Sequence, residues 1–386
     1  MSAIPSMAGA SIGAGTSAPA TLSDPVRLGE LTALAIAGLR PMLDPATRLF
    51  CHRLVRTRSG LVREGVSLRY SAMTLLGLHR LKSCGKQLPV DIQPILDALL
   101  ENVGWMDNIG DVGLVLWLLA EAAPDRLNKF HEAMNLEHAL ERHPGAQEGR
   151  TMELAWFLTG LSCAAIARRA ELSGVSDLAA ETYRRLEENL GESGIFGHQS
   201  GHATFGGLLR GRIGSFADQT YAIYAISRFV AAFEEDEPLS AARNCAEAIC
   251  GAQGPLGQWW WHYDSASGEA VRGYPVFSVH QDAMAPMALL SLGKLLGEDF
   301  SEFVAKGIRW VGGQNELGVD LRDGRAGVIW RGIQLTAKFQ MYLDDFLGMI
   351  RNRADVGAHR EIAVLRECRP YELGWLLYAF AEEAAQ

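Results

Sequence analysis

The chain has 386 residues, 48% of them apolar, and a formal net charge of −9. That composition supports a large buried core, and an acidic balance without a basic stripe excludes a nucleic-acid binder. No apolar run reaches the roughly 18 residues that a membrane span requires.

Residues 1–24 are rich in Ser, Ala and Gly and lack both a basic start and a continuous apolar core. They are expected to form a disordered tail rather than a secretion signal. From residue 25 to 386 the dominant pattern is helical, with apolar residues at three- and four-residue spacing and few alternating, strand-like stretches. A single all-α domain is expected over that range.

Two kinds of helix alternate. One kind begins with polar residues and then turns apolar on nearly every side, as a helix buried all round must. It occurs six times. In chain order the starts are Ser67-Leu-Arg69-Tyr70, Asp107-Asn-Ile-Gly-Asp111, Arg150-Thr-Met-Glu153, Ser215-Phe-Ala-Asp218-Gln219-Thr-Tyr221, His280-Gln281-Asp282 and Arg369-Pro-Tyr371-Glu372. The other kind is amphipathic and falls between them, at about 28–42, 90–103, 126–142, 176–190, 238–252 and 301–313. Six inner helices alternating with six outer ones describe an (α/α)6 toroid, because no hairpin buries its apolar face alone and closing the ring does so for all. An open solenoid is the alternative. In a ring the polar starts converge on one basin, whereas in a solenoid they are spread along a surface.

Three long connections, 191–215, 259–279 and 315–333, are expected to be functional. The first carries His198, Gln199 and His202. The third carries Asp320, Asp323, Trp330 and Arg331. Between them, Gly257 to Leu292 gathers the aromatic and titratable residues most densely, from the triplet Trp259-Trp260-Trp261 through His262, Tyr263 and Asp264 to Tyr274, Pro275, His280 and Asp282. Adjacent tryptophans imply burial or a ligand surface, since each can cover roughly 150–250 Å². The stretch is expected to form one wall of a ligand basin.

The candidate acid–base groups are Asp264, His280, Asp282, Tyr263 and Asp218. The candidate substrate-binding residues are Trp259, Trp260, Trp261, Tyr274, Tyr221, His198, Asp107, Glu153, Trp330 and Arg331. Each has a structural alternative: Asp282 as a first-turn carboxylate, His280 as a hydrogen-bonded core histidine, Tyr221 as packing, Asp107 as a helix cap. Glu153 enters an apolar helix, where an unpaired charge is costly, and Arg69 or Arg150 is placed to pair with it. The cysteines at 51, 84, 163, 245, 250 and 368 are scattered without zinc-ligand spacing. A reduced, cytoplasmic protein with no metal and no cofactor is expected.

Two families resemble parts of the chain. Gln253 to Trp259, QGPLGQW, is similar to the QW element of squalene–hopene cyclases, which implies a structural tie between outer helices. Lys306 to Gln314 is a shortened second copy without the closing Trp. The acidic DxDD motif of that family is missing, since Asp320 and Asp323 are interrupted and Asp344-Asp345 stand alone. Trp261 to Asp264, followed by Tyr274-Pro275, His280 and the apolar run 283–290, resembles the helical C-terminal domain of glucuronyl C5-epimerases and, more broadly, the six-hairpin glycosidases. That resemblance implies an (α/α)6 toroid acting on a polysaccharide.

An aromatic basin rimmed by carboxylates, His and Tyr suits a carbohydrate-active hydrolase, lyase or epimerase acting on an oligo- or polysaccharide intermediate, as in polysaccharide biosynthesis. An isoprenoid enzyme of the terpene cyclase kind, with aromatic walls facing a carbocation, is the alternative. A non-catalytic glycan- or protein-binding toroid is the third. A basin lined by several carboxylates with Arg and His selects the first.

Overall fold

The computed structural model describes residues 25–101, 103–168, 174–201, 211–336 and 361–384. The proposed tail at 1–24, His202 and the pair Asp344-Asp345 lie outside them.

Six inner helices run through the centre. These are α2 (Leu68–Ser83), α4 (Ile109–Ala122), α6 (Thr151–Arg168), α8 (Phe216–Phe233), α10 (Ala285–Leu296) and α12 (Pro370–Phe380). Six outer helices, α1 (Pro25–Leu39), α3 (Gln93–Glu101), α5 (Leu127–Met134), α7 (Val175–Glu187), α9 (Leu239–Gly251) and α11 (Ser301–Val311), alternate with them. Each inner helix packs on the next, and α12 packs back on α2. The chain is therefore a closed (α/α)6 toroid and not an open solenoid.

Sequence pattern explains the two rings. Every residue of α4 from Ile109 to Ala120 is buried, as a rod surrounded by other helices requires. In α7 only one stripe is buried, Val175, Ala179, Thr182, Tyr183 and Leu186. Its opposite face carries the ion pairs of Arg184 with Glu181 and Glu188. The ring closes through small residues. A methyl group at Gly77 on α2 would overlap the carbonyl of Gly374 on α12, and one at Gly160 on α6 would overlap the carbonyl of Gly113 on α4. The backbones of these helix pairs touch, which only glycine permits.

Short strands stand at one end, and they are the part the alternation pattern did not reveal. In chain order they are β1 (Leu43–Asp44), β2 (Leu49–Thr57), β3 (Gly60–Val66), β4 (Ile213–Ser215), β5 (His262–Asp264), β6 (Ala270–Arg272), β7 (Val276–Phe277), β8 (Arg322–Asp323), β9 (Val328–Ile329), β10 (Gly332–Leu335), β11 (Ile362–Leu365) and β12 (Glu367–Cys368). All described pairings are antiparallel: β1-β2-β12 with β3 also on β2, β11-β10-β7, β4-β5-β6, and the β8–β9 hairpin. Strands β3, β4, β7 and β12 each lead into the head of an inner helix. The strand layer thus frames the end where the inner helices begin.

The inner-helix heads are fixed by capping. The Ser67 hydroxyl accepts the Tyr70 N–H on α2, the Asn108 side-chain oxygen accepts the Asp111 N–H on α4, and Ser215 with Asp218 forms a reciprocal capping box on α8. These bonds satisfy N–H groups that a helix start otherwise leaves unpaired. The fifth inner helix begins instead with a π-turn over His280–Met284. Pro286 has no N–H to offer the Asp282 carbonyl in α-helical register, and the helix is widened immediately before it.

Candidate active site

The six heads meet around one charged and aromatic cluster. Arg69 of α2 holds Asp111 of α4 through two parallel bonds, Nε to Oδ1 at 2.5 Å and the terminal nitrogen to Oδ2 at 2.8 Å. Its guanidinium lies 5.9 Å from the ring centre of Trp156 on α6. Tyr70 of α2 and Tyr371 of α12 touch, with ring centres 4.5 Å apart. Phe216 of α8 lies 4.7 Å from His280, centre to centre. Phe277, 5.3 Å from His280, carries the Arg331 guanidinium at 4.4 Å from its ring centre.

Arg331 is the hub of a buried ion network. It donates to Glu372 of α12 and bonds Glu367 of β12 at 3.1 Å. Glu367 also receives Arg53 from β2 at 2.7 Å and Arg369 at 2.9 Å. Burial alone raises a carboxyl pKa, but Arg369 and Arg331 overcome it at Glu367, whose pKa lies below the ordinary value. Glu372 has less compensation. Burial dominates there and its pKa is raised despite Arg331.

Asp282 lies at the far end of this gradient. It is 2% exposed. Burial first, and the Glu372 charge second, push its pKa well above the carboxylate range. No residue among those described donates a side-chain hydrogen bond to it, and its own backbone N–H is the one opposing influence. Both of the larger influences thus favour the protonated form of Asp282. Two residues earlier, His280 is held neutral: burial, then the nearby Arg331 charge, lower its pKa to about 3.

Other buried polar atoms at the heads have no hydrogen-bond partner among the described residues: Oε2 of Glu153, Nε1 of Trp156, Oδ1 of Asp218 and Nδ1 of His280. Unpaired buried polar atoms are costly and rare, and four at the inner-helix heads mark a place suited to a polar ligand. The remaining atoms of these groups are committed. Glu153 pairs with Arg150 at 3.0 Å. Asp218 Oδ2 accepts the Ser215 N–H and hydroxyl and lies 3.4 Å from His198 Nδ1.

The Trp-rich wall is built otherwise than expected. Trp259 and Trp260 are 0% and 4% exposed. Trp259 stacks on Phe216, and the Trp260 indole N–H donates to the Ala252 carbonyl. Both are thereby committed to the packed interior, and the triplet does not form one wall. Only Trp261, half-buried, reaches the rim, where it stacks on His262 and lies edge-on to Phe277.

Other expected site residues serve the scaffold. Tyr263 is fully buried, and its hydroxyl accepts the Trp260 N–H. Asp264 pairs with Arg212 at 2.6 Å and accepts the Ala266 N–H, which fixes the β5–β6 turn. The Tyr221 hydroxyl accepts the Trp375 indole N–H inside the ring. Asp107 is exposed, and the α4 cap is Asn108 instead. Tyr274 bonds Glu316, which also receives Gln258 and Trp310, behind the fifth inner helix. Trp330 faces away from Arg331, with the guanidinium groups of Arg56 and Arg366 each within 6 Å of its ring centre, at 5.9 and 5.8 Å. Gln253 donates to the Phe303 carbonyl at the edge of α11 and so ties two outer helices, as the QW-like element implied.

Arg69, Asp111, Tyr70, Tyr371 and Glu372 were not among the candidates. All five lie within the polar starts of the inner helices, and that position was the signal that pointed to them. Among the described residues no cluster of His, Cys, Asp and Glu is arranged to hold a metal ion, and no helix is long and apolar enough to cross a membrane.

No family model matches the chain, and no curated protein matches it in sequence. Solved structures do match. A possible member of the GH105 family from Klebsiella pneumoniae is 12% identical, with TM-score 0.60 over 98% of each chain. A possible GH105 member from Salmonella enterica serovar Paratyphi A is 14% identical, with TM-score 0.59 over 95% of this chain and 96% of that one. An unsaturated glucuronyl hydrolase from Bacillus sp. GL1, described as responsible for glycosaminoglycan degradation, is 13% identical, with TM-score 0.57 over 94% and 96%. At these identities the likeness is one of fold, the (α/α)6 toroid.

Proposed function

We propose that the protein is a carbohydrate-active enzyme of the glycosidase type, acting on an oligosaccharide bound among the inner-helix heads. The observation that carries this reading is the opposed tuning of two carboxyl groups in one cluster, the Asp282 pKa raised by burial and the Glu367 pKa lowered against burial by Arg369 and Arg331. Groups whose pKa values are driven apart mark acid–base chemistry. Asp282 is assigned as the proton donor to the glycosidic oxygen. The carboxyl groups at the neighbouring heads, Asp218 and Asp111, are assigned to activating water and to the sugar hydroxyls. Trp261, His198, Glu153 and Arg331 remain assigned to substrate binding, and His280, held neutral, to a hydrogen bond with the sugar.

The substrate class is an oligosaccharide ending in a uronic acid. The neighbours described as unsaturated glucuronyl hydrolases share the fold over nearly their whole length, and Arg69 and Arg331 stand in this cluster. A cluster with these carboxylates and arginines disfavours an isoprenoid substrate, which requires mainly apolar walls. The six free cysteines support a reducing compartment such as the cytoplasm, and residues 25–386 are assigned to a single domain.

The test is turnover of neutral, uronate-terminated and unsaturated-uronate-terminated oligosaccharides by the purified protein and by D282N. Turnover of a uronate-terminated substrate is expected, with kcat lost by about a hundredfold or more in D282N and little change in KM. Full activity of D282N, or inertness of the wild type toward the whole panel, refutes the assignment.

A further inference from the structure

The strands that build the floor of the cluster have a second face. Arg331 and Glu367 point inward to the ion network, while their sequence neighbours Trp330 and Arg366 point outward. On that outer side lies a cleft of about 450 Å³, lined by Trp330, Arg366, Val364, Asp320 and the β8–β9 hairpin with Arg322 and Arg325. Its volume falls within the range of small-ligand sites, about 300–1,000 Å³.

Its charges are unevenly satisfied. Arg322 is fully used, by Asp320 at 2.8 Å and Glu30 at 3.1 Å. Asp323 accepts the Ala326 N–H of the hairpin turn. Arg325 and Arg366 are exposed and form no ion pair among the described residues. The Arg366 guanidinium is fixed 5.8 Å from the Trp330 ring centre. The result is two uncommitted guanidinium groups beside an indole, on a chain of net charge −9.

We propose that this cleft is a second binding site, separate from the inner-helix heads, for a carboxylate-bearing sugar. A guanidinium presents paired donors that match a carboxylate, and the cleft's volume is that of a small-ligand site. The saccharide class rests on the function proposed above, whereas the carboxylate rests on Arg325 and Arg366 alone. The site would hold a uronate residue without reacting with it.

The test is calorimetric titration of the full chain with trigalacturonate, with maltotriose as the neutral counterpart and inorganic sulfate as the bare anion. The wild type is expected to show two binding events with trigalacturonate and at most one with maltotriose. In R325A/R366A one event should weaken by about tenfold or more, with turnover at the other site unchanged. Two equal events in the double variant, or a single event in the wild type, overturn the proposal. Displacement of the second event by sulfate as effective as trigalacturonate itself overturns the sugar class. Loss of all turnover with the arginine-dependent event intact counts against the proposed reaction and not against this cleft.

Discussion

Acid should destabilise the protein through His280, and replacing that residue should remove the effect. The His280 ring is 5% exposed and packs on Phe216 and Phe277. Burial, then Arg331, lower its pKa from 6.5 to about 3. A histidine whose pKa is depressed on folding binds fewer protons in the native state than in the unfolded one. Its contribution is therefore intact above pH 6.5 and declines as the pH falls toward 3. Between pH 7.5 and pH 5 the loss amounts to about 2 kcal/mol, at 1.36 kcal/mol per pH unit below the unfolded pKa. H280F keeps the aromatic contacts and cannot be protonated. Apart from the titration of the ring, it should shift stability by a similar amount at every pH, because the substitution leaves the surrounding aromatic contacts in place. Its stability should nevertheless depend less steeply on acid. Urea unfolding of both proteins at pH 7.5 and pH 5 isolates the difference, and titrating carboxyl groups, Asp282 included, largely cancel in it. Asp282 acts in the opposite sense, since a raised carboxyl pKa favours the native state as the pH falls. Parallel pH dependences for wild type and H280F would refute the buried, neutral assignment of the ring.

Two further substitutions probe the ring and its heads. G77A drives a methyl group into the Gly374 carbonyl where α2 meets α12. It should cost about 3 kcal/mol, seen as a lower urea midpoint with an unchanged slope; a neutral effect would mean that the ring is not closed by that contact. R69A leaves the Asp111 carboxylate, 1% exposed, without its partner. The expected cost is about 2 kcal/mol, below the 3–5 of a fully buried pair because the Arg69 side chain is 38% exposed. R69A/D111N should recover much of that loss, and strict additivity in the double-mutant cycle would rule out the pairing.

The ring was legible in the sequence because its logic is local. A helix such as Ile109–Ala122, apolar on every side after a polar start, has one environment open to it, and six such helices with amphipathic partners have few arrangements. The strands were not legible. Most are two to four residues long, too short for alternation to register, and they pair residues far apart, as Glu367 with Val55. The aromatic triplet misled for a related reason. Trp259 and Trp260 are consumed by packing, Trp259 against Phe216, a residue distant in sequence. Glu153 was recognised as needing an arginine, and Arg150 supplies it; Arg69 was free to hold Asp111 because α2 and α4 are neighbours in the ring. Choosing between those partners required tertiary structure.

Burial raises the pKa of all three acidic side chains, and the distribution of arginines decides where that effect is reversed. Glu367 is met by three guanidinium groups, from Arg53, Arg331 and Arg369. Glu372 shares one of them, Arg331, and accepts the Arg369 backbone N–H. Asp282 has none among the described residues. Three acidic side chains in one buried cluster cannot all be ionised without opposing charge, because each added charge raises the cost of the next. Protonation is therefore disfavoured at Glu367, where cations concentrate, and favoured at Asp282, where the wide turn before Pro286 sets the buried carboxyl at the head of its helix. The arginines come from the strand layer and the segments joining it to the helices, and the acids divide between strand and inner helix. The β-strands, minor in extent, thus set the low end of the gradient at Glu367, while burial sets its high end at Asp282.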